Sequence, residues 1–288
     1  MDINIKKDLA YVKTILNYND NQLSDLIDVS RMTLSRWVNR NSKPSSKNVE
    51  QIYSAIYCNG LKINDLKQEM FKSNEEKNKV ILFHGAKGEF IGKPSILYSD
   101  DKKDFGKGFY LGTDVKQSAS FVSNYKDSSI YVFEYDLTKT KIKEYDVCND
   151  WMMLIAYFRG KLNAYSDSKY IKTLLKQLEG IDVVIAPIAD NTMYSILNDF
   201  TEGDITDKQC SYALSANRLG KQYIFLNDKA IKSSLKMIDK LYLCEDEKKY
   251  YQEIRKQETE IGKQKVKIAK REYAAKGMYI EEILKWEI

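Results

Sequence analysis

The sequence predicts an α+β protein in three parts: an all-α N-terminal domain over residues 1–70, a mixed β-sheet domain over residues 79–238, and a long charged helix within residues 239–288. Three observations carry that division. Apolar residues recur at helical spacing in the first part. Short β-branched and aromatic runs separated by turns fill the second. The closing stretch is dense in charge and poor in helix breakers.

In the first part Leu9, Val12, Ile15 and Leu16 repeat at helical spacing, and Asn21 is expected to cap a second helix carrying Leu23, Leu26 and Ile27. A third helix follows over residues 31–40 and stops at Lys43-Pro44-Ser45; Val49, Ile52, Tyr53 and Ile56 mark a fourth. Residues 71–78, Phe-Lys-Ser-Asn-Glu-Glu-Lys-Asn, are polar and read as a linker. Val80-Ile81-Leu82-Phe83 then reads as a buried strand that ends at His84-Gly85, and residues 130–136, 181–188 and 221–226 read as further strands. Residues 151–158 and 207–216 read as helices. Between residues 245 and 271 one glycine and no proline interrupt the chain, which favours a helix. Its apolar positions, Tyr250, Ile254, Ile261 and Ile268, fall at spacings of four and seven in a narrow stripe. That stripe suits packing along the β-containing domain, or a partner-binding or oligomerising arm.

A length of 288 residues fits two domains, and a hydrophobic share of 43% excludes a disordered chain. The net charge of +5 permits nucleic-acid contact without arguing for it. Four widely spaced cysteines (Cys58, Cys148, Cys210 and Cys244) lack any C-x-x-C pattern and read as buried, reduced thiols that form neither a disulfide nor a metal site. The N-terminus has no apolar signal region, and no window approaches a membrane span, so a cytoplasmic protein with no membrane partner is expected. The single histidine excludes a multi-histidine zinc centre. Asp104-Phe105-Gly106 does not make a kinase, because no G-x-G-x-x-G loop, Val-Ala-Ile-Lys or His-Arg-Asp accompanies it. No P-loop and no G-x-S-x-G are present either.

What remains is a histidine at a strand end and a glycine-rich aromatic stretch after it. Gly106, Gly108 and Gly112 surround Phe109 and Tyr110, with Asp104 and Lys107 beside them. Glycine at that density permits close backbone approach, and the stretch reads as the wall of a ligand cleft.

Two resemblances follow from these motifs. Gln22-Leu23-Ser24-Asp25-Leu26, Val29-Ser30, Thr33-Leu34-Ser35-Arg36-Trp37 and Lys43-Pro44-Ser45 resemble the helix-turn-helix of phage-repressor-like proteins. That resemblance implies DNA as a partner, with Arg31, Thr33, Ser35 and Arg36 facing the duplex and Arg40, Lys43 and Lys47 near phosphates. It also implies Met32, Leu34 and Trp37 as anchors of the recognition helix.

Phe83-His84-Gly85, Gly108-Phe109-Tyr110-Leu111-Gly112-Thr113 and Gln222 resemble the three NAD-binding elements of the ADP-ribosyltransferase fold. The likeness is nearest to a poorly characterised bacterial branch with the pattern Asp-Phe-Gly-x-Gly-Phe-Tyr, a Trp/Arg helix (Trp151 and Arg159), the turn Pro187-Ile188-Ala189-Asp190-Asn191, and a late glutamine. It implies a mono-ADP-ribosyltransferase that uses NAD as substrate and no metal, of a toxin, toxin–antitoxin or phage-defence kind, with an antitoxin among its partners and a protein or nucleic acid as acceptor. By that resemblance His84 binds the adenosine ribose, Gly85 meets the nicotinamide amide, Tyr110 lies against the nicotinamide ring and Gln222 holds a ribose hydroxyl, so that His84, Tyr110 and Gln222 form the catalytic set. Asp104, Lys107 and Arg159 are implied ribose or pyrophosphate contacts, within the stretch that includes Gly106, Gly108 and Phe109.

One departure stands out. Protein-modifying members commonly have glutamate where this chain has Gln222, and glutamine cannot accept a proton. Either the acceptor is already nucleophilic, or a carboxylate such as Glu202 or Asp190 assists, or transfer is slow. Two alternatives stay open: an NAD glycohydrolase, and a DNA-binding regulator whose second domain senses NAD without turning it over.

Overall fold

The computed structural model describes residues 3–40, 42–90, 92–188, 191–215 and 220–285. Five helices come first: α1 (Ile5–Leu16), α2 (Asp20–Leu26), α3 (Arg31–Asn39), α4 (Ser46–Cys58) and α5 (Ile63–Ser73). Strands and helices then intermingle as β1 (Lys79–Ala86), β2 (Phe109–Gly112), α6 (Val115–Val122), β3 (Ser129–Asp136), β4 (Ile142–Glu144), α7 (Asn149–Phe158) and α8 (Lys169–Lys176). They continue as β5 (Val183–Pro187), α9 (Asn191–Thr201), α10 (Asp207–Ser215), β6 (Lys221–Phe225), α11 (Asp228–Ser234) and β7 (Leu235–Tyr242). The long α12 (Glu245–Glu272) and the short α13 (Ile280–Lys285) close the chain. The α+β class holds. The strands form a seven-stranded sheet in the order β4-β5-β6-β2-β1-β3-β7, mixed because β4 and β5 run parallel while β6 is antiparallel to both β5 and β2.

The chain divides into two compact units, neither continuous in sequence. The first comprises residues 1–89, 114–135 and 236–253; the second comprises residues 90–113, 136–235 and 254–288.

In the first unit, side-chain caps set where the early helices begin. Asn19, rather than Asn21, caps α2: its carboxamide oxygen accepts from the backbone N–H of Asn21 and Gln22 at 2.9 and 3.1 Å, and Gln22 reaches back to the Asn19 N–H. Ser30 caps α3 and Ser45 caps α4. Between α2 and α3 the chain turns within four residues, with Asp28 in the left-handed region at φ 52°. Leu9, Val12, Leu23, Ile27, Leu34, Trp37, Ile52 and Ile56 bury together beneath these helices.

The expectation that Met32 anchors α3 is corrected, because Met32 is 64% exposed. At about 100° per residue it lies roughly 200° around the helix from Leu34, on the side away from the core. Its sulfur instead lies 3.4 Å from the Arg36 guanidinium. Lys67 on α5 is 2% exposed and holds Asp8 at 2.7 Å and Asp239 of β7 at 2.8 Å. A second core of the same unit gathers Ile81 and Phe83 of β1, Val115, Ala119 and Val122 of α6, Ile130 and Val132 of β3, and Leu241 of β7.

The core of the second unit centres on α7, whose Trp151, Met152, Met153 and Leu154 are fully buried. It gathers Val184 and Ala186 of β5, Ile224 of β6, Met193, Ile196 and Leu197 of α9, and Val266 and Ala269 of α12. All four cysteines are free thiols. Cys210 and Cys244 are buried as expected, whereas Cys58 and Cys148 are exposed because they sit at the end of α4 and just before α7. Among the described residues no helix is long and apolar enough to cross a membrane.

Candidate functional site

The second unit brings together three residues from distant parts of the chain. β6 runs between β2 and β5, so that Gln222 pairs with Gly112 on one side and Ala186 on the other. Paired residues share a sheet face, and two positions along the same face Ile224 pairs with Tyr110 and Val184. Ile224, Val184 and Ala186 belong to the core around α7, with Tyr110 packed against it. Gln222 therefore emerges from a buried strand face, at 7% exposure.

Asp104 meets it there. Gln222 Nε2 donates to Asp104 Oδ2 at 2.8 Å and to the Pro187 carbonyl at 3.0 Å. The other carboxylate oxygen, Asp104 Oδ1, accepts from Arg159 Nε at 3.0 Å and from Arg159 Nη2. Arg159 directly follows α7 and is that helix's C-terminal cap. A carboxylate only 6% exposed is tolerated here because a guanidinium and a carboxamide saturate it.

The neighbouring glycines serve the local backbone. Gly106 has φ 69°, a conformation costly for other residues, and a Cβ there would lie 3.0 Å from the Phe158 ring. A Cβ on Gly108 would lie 2.7 Å from Ile224 Cγ2 and 3.1 Å from the Phe225 carbonyl, so this glycine lets the loop press onto β6. Tyr110 closes the same loop: its hydroxyl donates to the Gly106 carbonyl at 2.8 Å and accepts from the Phe105 N–H at 3.1 Å. Burial pushes the Tyr110 hydroxyl well above the ordinary tyrosine range. It is held as a neutral hydrogen-bonding group within the loop. Phe109 is buried, 6.0 Å from the Phe90 ring. Lys107 is exposed and pairs with Asp101 at 3.1 Å.

His84 and Gly85 belong to the first unit. His84 is half-buried near the end of β1. A Cβ on Gly85 would come within 2.5 Å of the Ser118 carbonyl and 2.9 Å of Val122 Cγ1, so glycine here admits α6. Ser118 also donates its hydroxyl to the Phe83 carbonyl at 3.0 Å. Of the carboxylates considered as aids to Gln222, Glu202 is exposed and pairs with Lys161 at 2.5 Å. Asp190, with Ala189, lies outside the described residues. Among the described residues no cluster of three or more His, Cys, Asp or Glu side chains suits a metal ion.

On α3 and after it, Arg31, Ser35, Arg36, Arg40 and Lys43 are exposed. Thr33 is half-buried, with its hydroxyl 2.9 Å from that of Ser30. Ser35 accepts from Asn39 at 3.2 Å.

The sequence pattern points to the Asp104, Arg159 and Gln222 segments but assigns all three to ligand contact. It missed the mutual bonding, for which spacings of 55 and 118 residues give no local signal. The Tyr110 hydroxyl bridge was equally invisible.

A family model described as "Protein of unknown function (DUF3990)" matches residues 80–237, more than half of the chain, and the chain belongs to that family. No curated protein matches it, and no solved structure does.

Proposed function

We propose that this member of the family cleaves the nicotinamide–ribose bond of NAD and transfers ADP-ribose to a macromolecular acceptor, as a toxin or phage-defence effector. One observation supports the reading above the rest. Gln222, which resembles the third NAD-binding element, meets Asp104 and Arg159, the implied ribose or pyrophosphate contacts, in one buried cluster of the second unit beside the Tyr110 loop.

In the reaction the bond between nicotinamide and ribose C1′ breaks, and its electron pair leaves with nicotinamide. A lone pair of the acceptor forms the new bond to C1′, and the acceptor's proton passes to solvent. The developing charge on the sugar is oxocarbenium-like, so positioning counts for more than a strong protein nucleophile. Gln222 contributes a hydrogen bond to a ribose hydroxyl, and the Tyr110 ring offers a flat face to the cationic nicotinamide. The resemblance alone assigns the adenosine ribose to His84 and the nicotinamide amide to Gly85. The exposed Arg31, Ser35 and Arg36 of α3, with the half-buried Thr33, face the duplex, and the exposed Arg40, Lys43 and Lys47 sit near phosphates.

The test incubates the full chain with adenylate-labelled NAD and a cell lysate later separated into protein, DNA and RNA. Label in one fraction that is absent with His84→Ala supports transfer and names the acceptor class. Nicotinamide release with no labelled fraction makes the protein an NAD glycohydrolase. NAD bound without release leaves a nucleotide-responsive DNA-binding protein.

A further inference from the structure

We infer that Asp104 is a positioning residue: clamped by Arg159, it fixes the Gln222 carboxamide in one polarity, so that only the amide oxygen is offered to a ligand. The group accepted there is then a hydrogen-bond donor, such as a sugar hydroxyl. The ligand half of this inference rests on the NAD reading; the orientation half stands on geometry alone.

A carboxamide nitrogen carries two hydrogens, and both have acceptors here, Asp104 Oδ2 at 2.8 Å and the Pro187 carbonyl at 3.0 Å. Rotating the amide by half a turn would aim its oxygen at those same two oxygens, leaving three acceptors and no proton between them. The orientation is therefore forced. Among the described residues the Gln222 oxygen Oε1 has no hydrogen-bond partner. Asp104 is itself held, since Arg159 binds its other oxygen through Nε and Nη2. The backbone adds to the fixity, because Gln222 lies in a strand bonded on both sides to β2 and β5.

This arrangement also accounts for glutamine at a position where relatives by resemblance carry glutamate. A glutamate at 222 would bring a second carboxylate against Asp104 and the Pro187 carbonyl, with no hydrogen to share. Exchanging the partners restores one of the two contacts: an asparagine at 104 donates to a glutamate at 222, while the glutamate still faces the Pro187 carbonyl without a hydrogen. Each single exchange breaks the pairing of 104 with 222, and the double exchange rebuilds that contact alone, with reversed polarity.

The experiment uses the full chain as wild type, Asp104→Asn, Gln222→Glu and the double variant, with circular dichroism as the control for folding. The side-chain NH₂ of Gln222, followed by ¹⁵N NMR, is expected to exchange slowly in wild type and at least about tenfold faster in Asp104→Asn. Nicotinamide release is expected to fall roughly 10- to 100-fold in each single variant, chiefly in kcat, and in the double variant to exceed by at least about threefold the product of the two single losses, without reaching wild type because the Pro187 carbonyl stays unpaired. Fast exchange in wild type, or unchanged exchange in Asp104→Asn, overturns the inference. Additive losses in the double variant overturn it as well. If wild type releases no nicotinamide the NAD reading fails, while the exchange measurement still decides the orientation.

Discussion

Asp104 and Gln222, 118 residues apart in sequence, are joined by a 2.8 Å hydrogen bond inside the second unit. With the bond to the Pro187 carbonyl it consumes the donor side of the glutamine, and it occupies one oxygen of the carboxylate. It turns two residues that look like separate ligand contacts in the sequence into a single device.

Tyr110→Phe separates the hydroxyl from the ring. Removing the hydroxyl leaves the Phe105 N–H and the Gly106 carbonyl without their partner. A loss of about 1–3 kcal/mol in a urea unfolding curve is expected. Nicotinamide release by the folded fraction should stay within roughly threefold of wild type, because the ring remains. A large loss of turnover with unchanged stability would show that the hydroxyl itself acts on the ligand.

Gly108→Ala should cost about 1–3 kcal/mol through overpacking, since its new methyl would lie 2.7 Å from Ile224 Cγ2. Thermal unfolding checks this. In an Ile224→Ala background, which removes Cγ2 itself, the same exchange should cost less than in wild type.

Lys67→Met leaves Asp8 and Asp239 in the interior without their cation. A destabilisation of about 3–5 kcal/mol is expected in chemical denaturation, whereas Lys13→Met, at an exposed ion pair, should change stability by less than about 1 kcal/mol. Similar losses for the two variants would mean that the buried network is no more than a surface pair.

Burial pushes the Glu247 carboxyl from its ordinary 4.5 up to about 8, with Asp65 adding to the rise and a hydrogen bond from Asn64 opposing it. Between those values the folded chain holds a proton that the unfolded chain releases. This group therefore lowers stability as pH rises through the window, and its full cost applies above about 8. Glu247→Gln should be nearly neutral near pH 4.5 and stabilising by about 1–3 kcal/mol near pH 9. Melting curves of both proteins at the two pH values decide it.

Much of the fold was legible where periodicity was strong. The runs behind β1, β3, β5 and β6 and the helices α7, α10 and α12 were read within a few residues, because apolar runs and breaker-free charge are local signals. β2 is not legible as a strand within the glycine-rich aromatic stretch, since Phe109–Gly112 is too short to show alternation and becomes a strand only through pairing with its neighbours, among them β6. β7 was split between the sheet domain and the tail. Its Asp239 and Lys240 look like surface charges in sequence, yet both are buried in ion pairs, with Lys67 and Glu89 respectively. The polarity of the site lay beyond reach for the same reason. Asp104, Arg159 and Gln222 were visible as residues, but which of them bonds the others is set by tertiary packing of α7 against β6.

The most direct test of the NAD reading is nicotinamide release by the purified full chain, measured by chromatography for wild type and for Gln222→Ala with folding checked by circular dichroism. Steady release by wild type, reduced at least about tenfold in the folded variant, is the expected result. No release by wild type, or equal release by a folded Gln222→Ala, would contradict it.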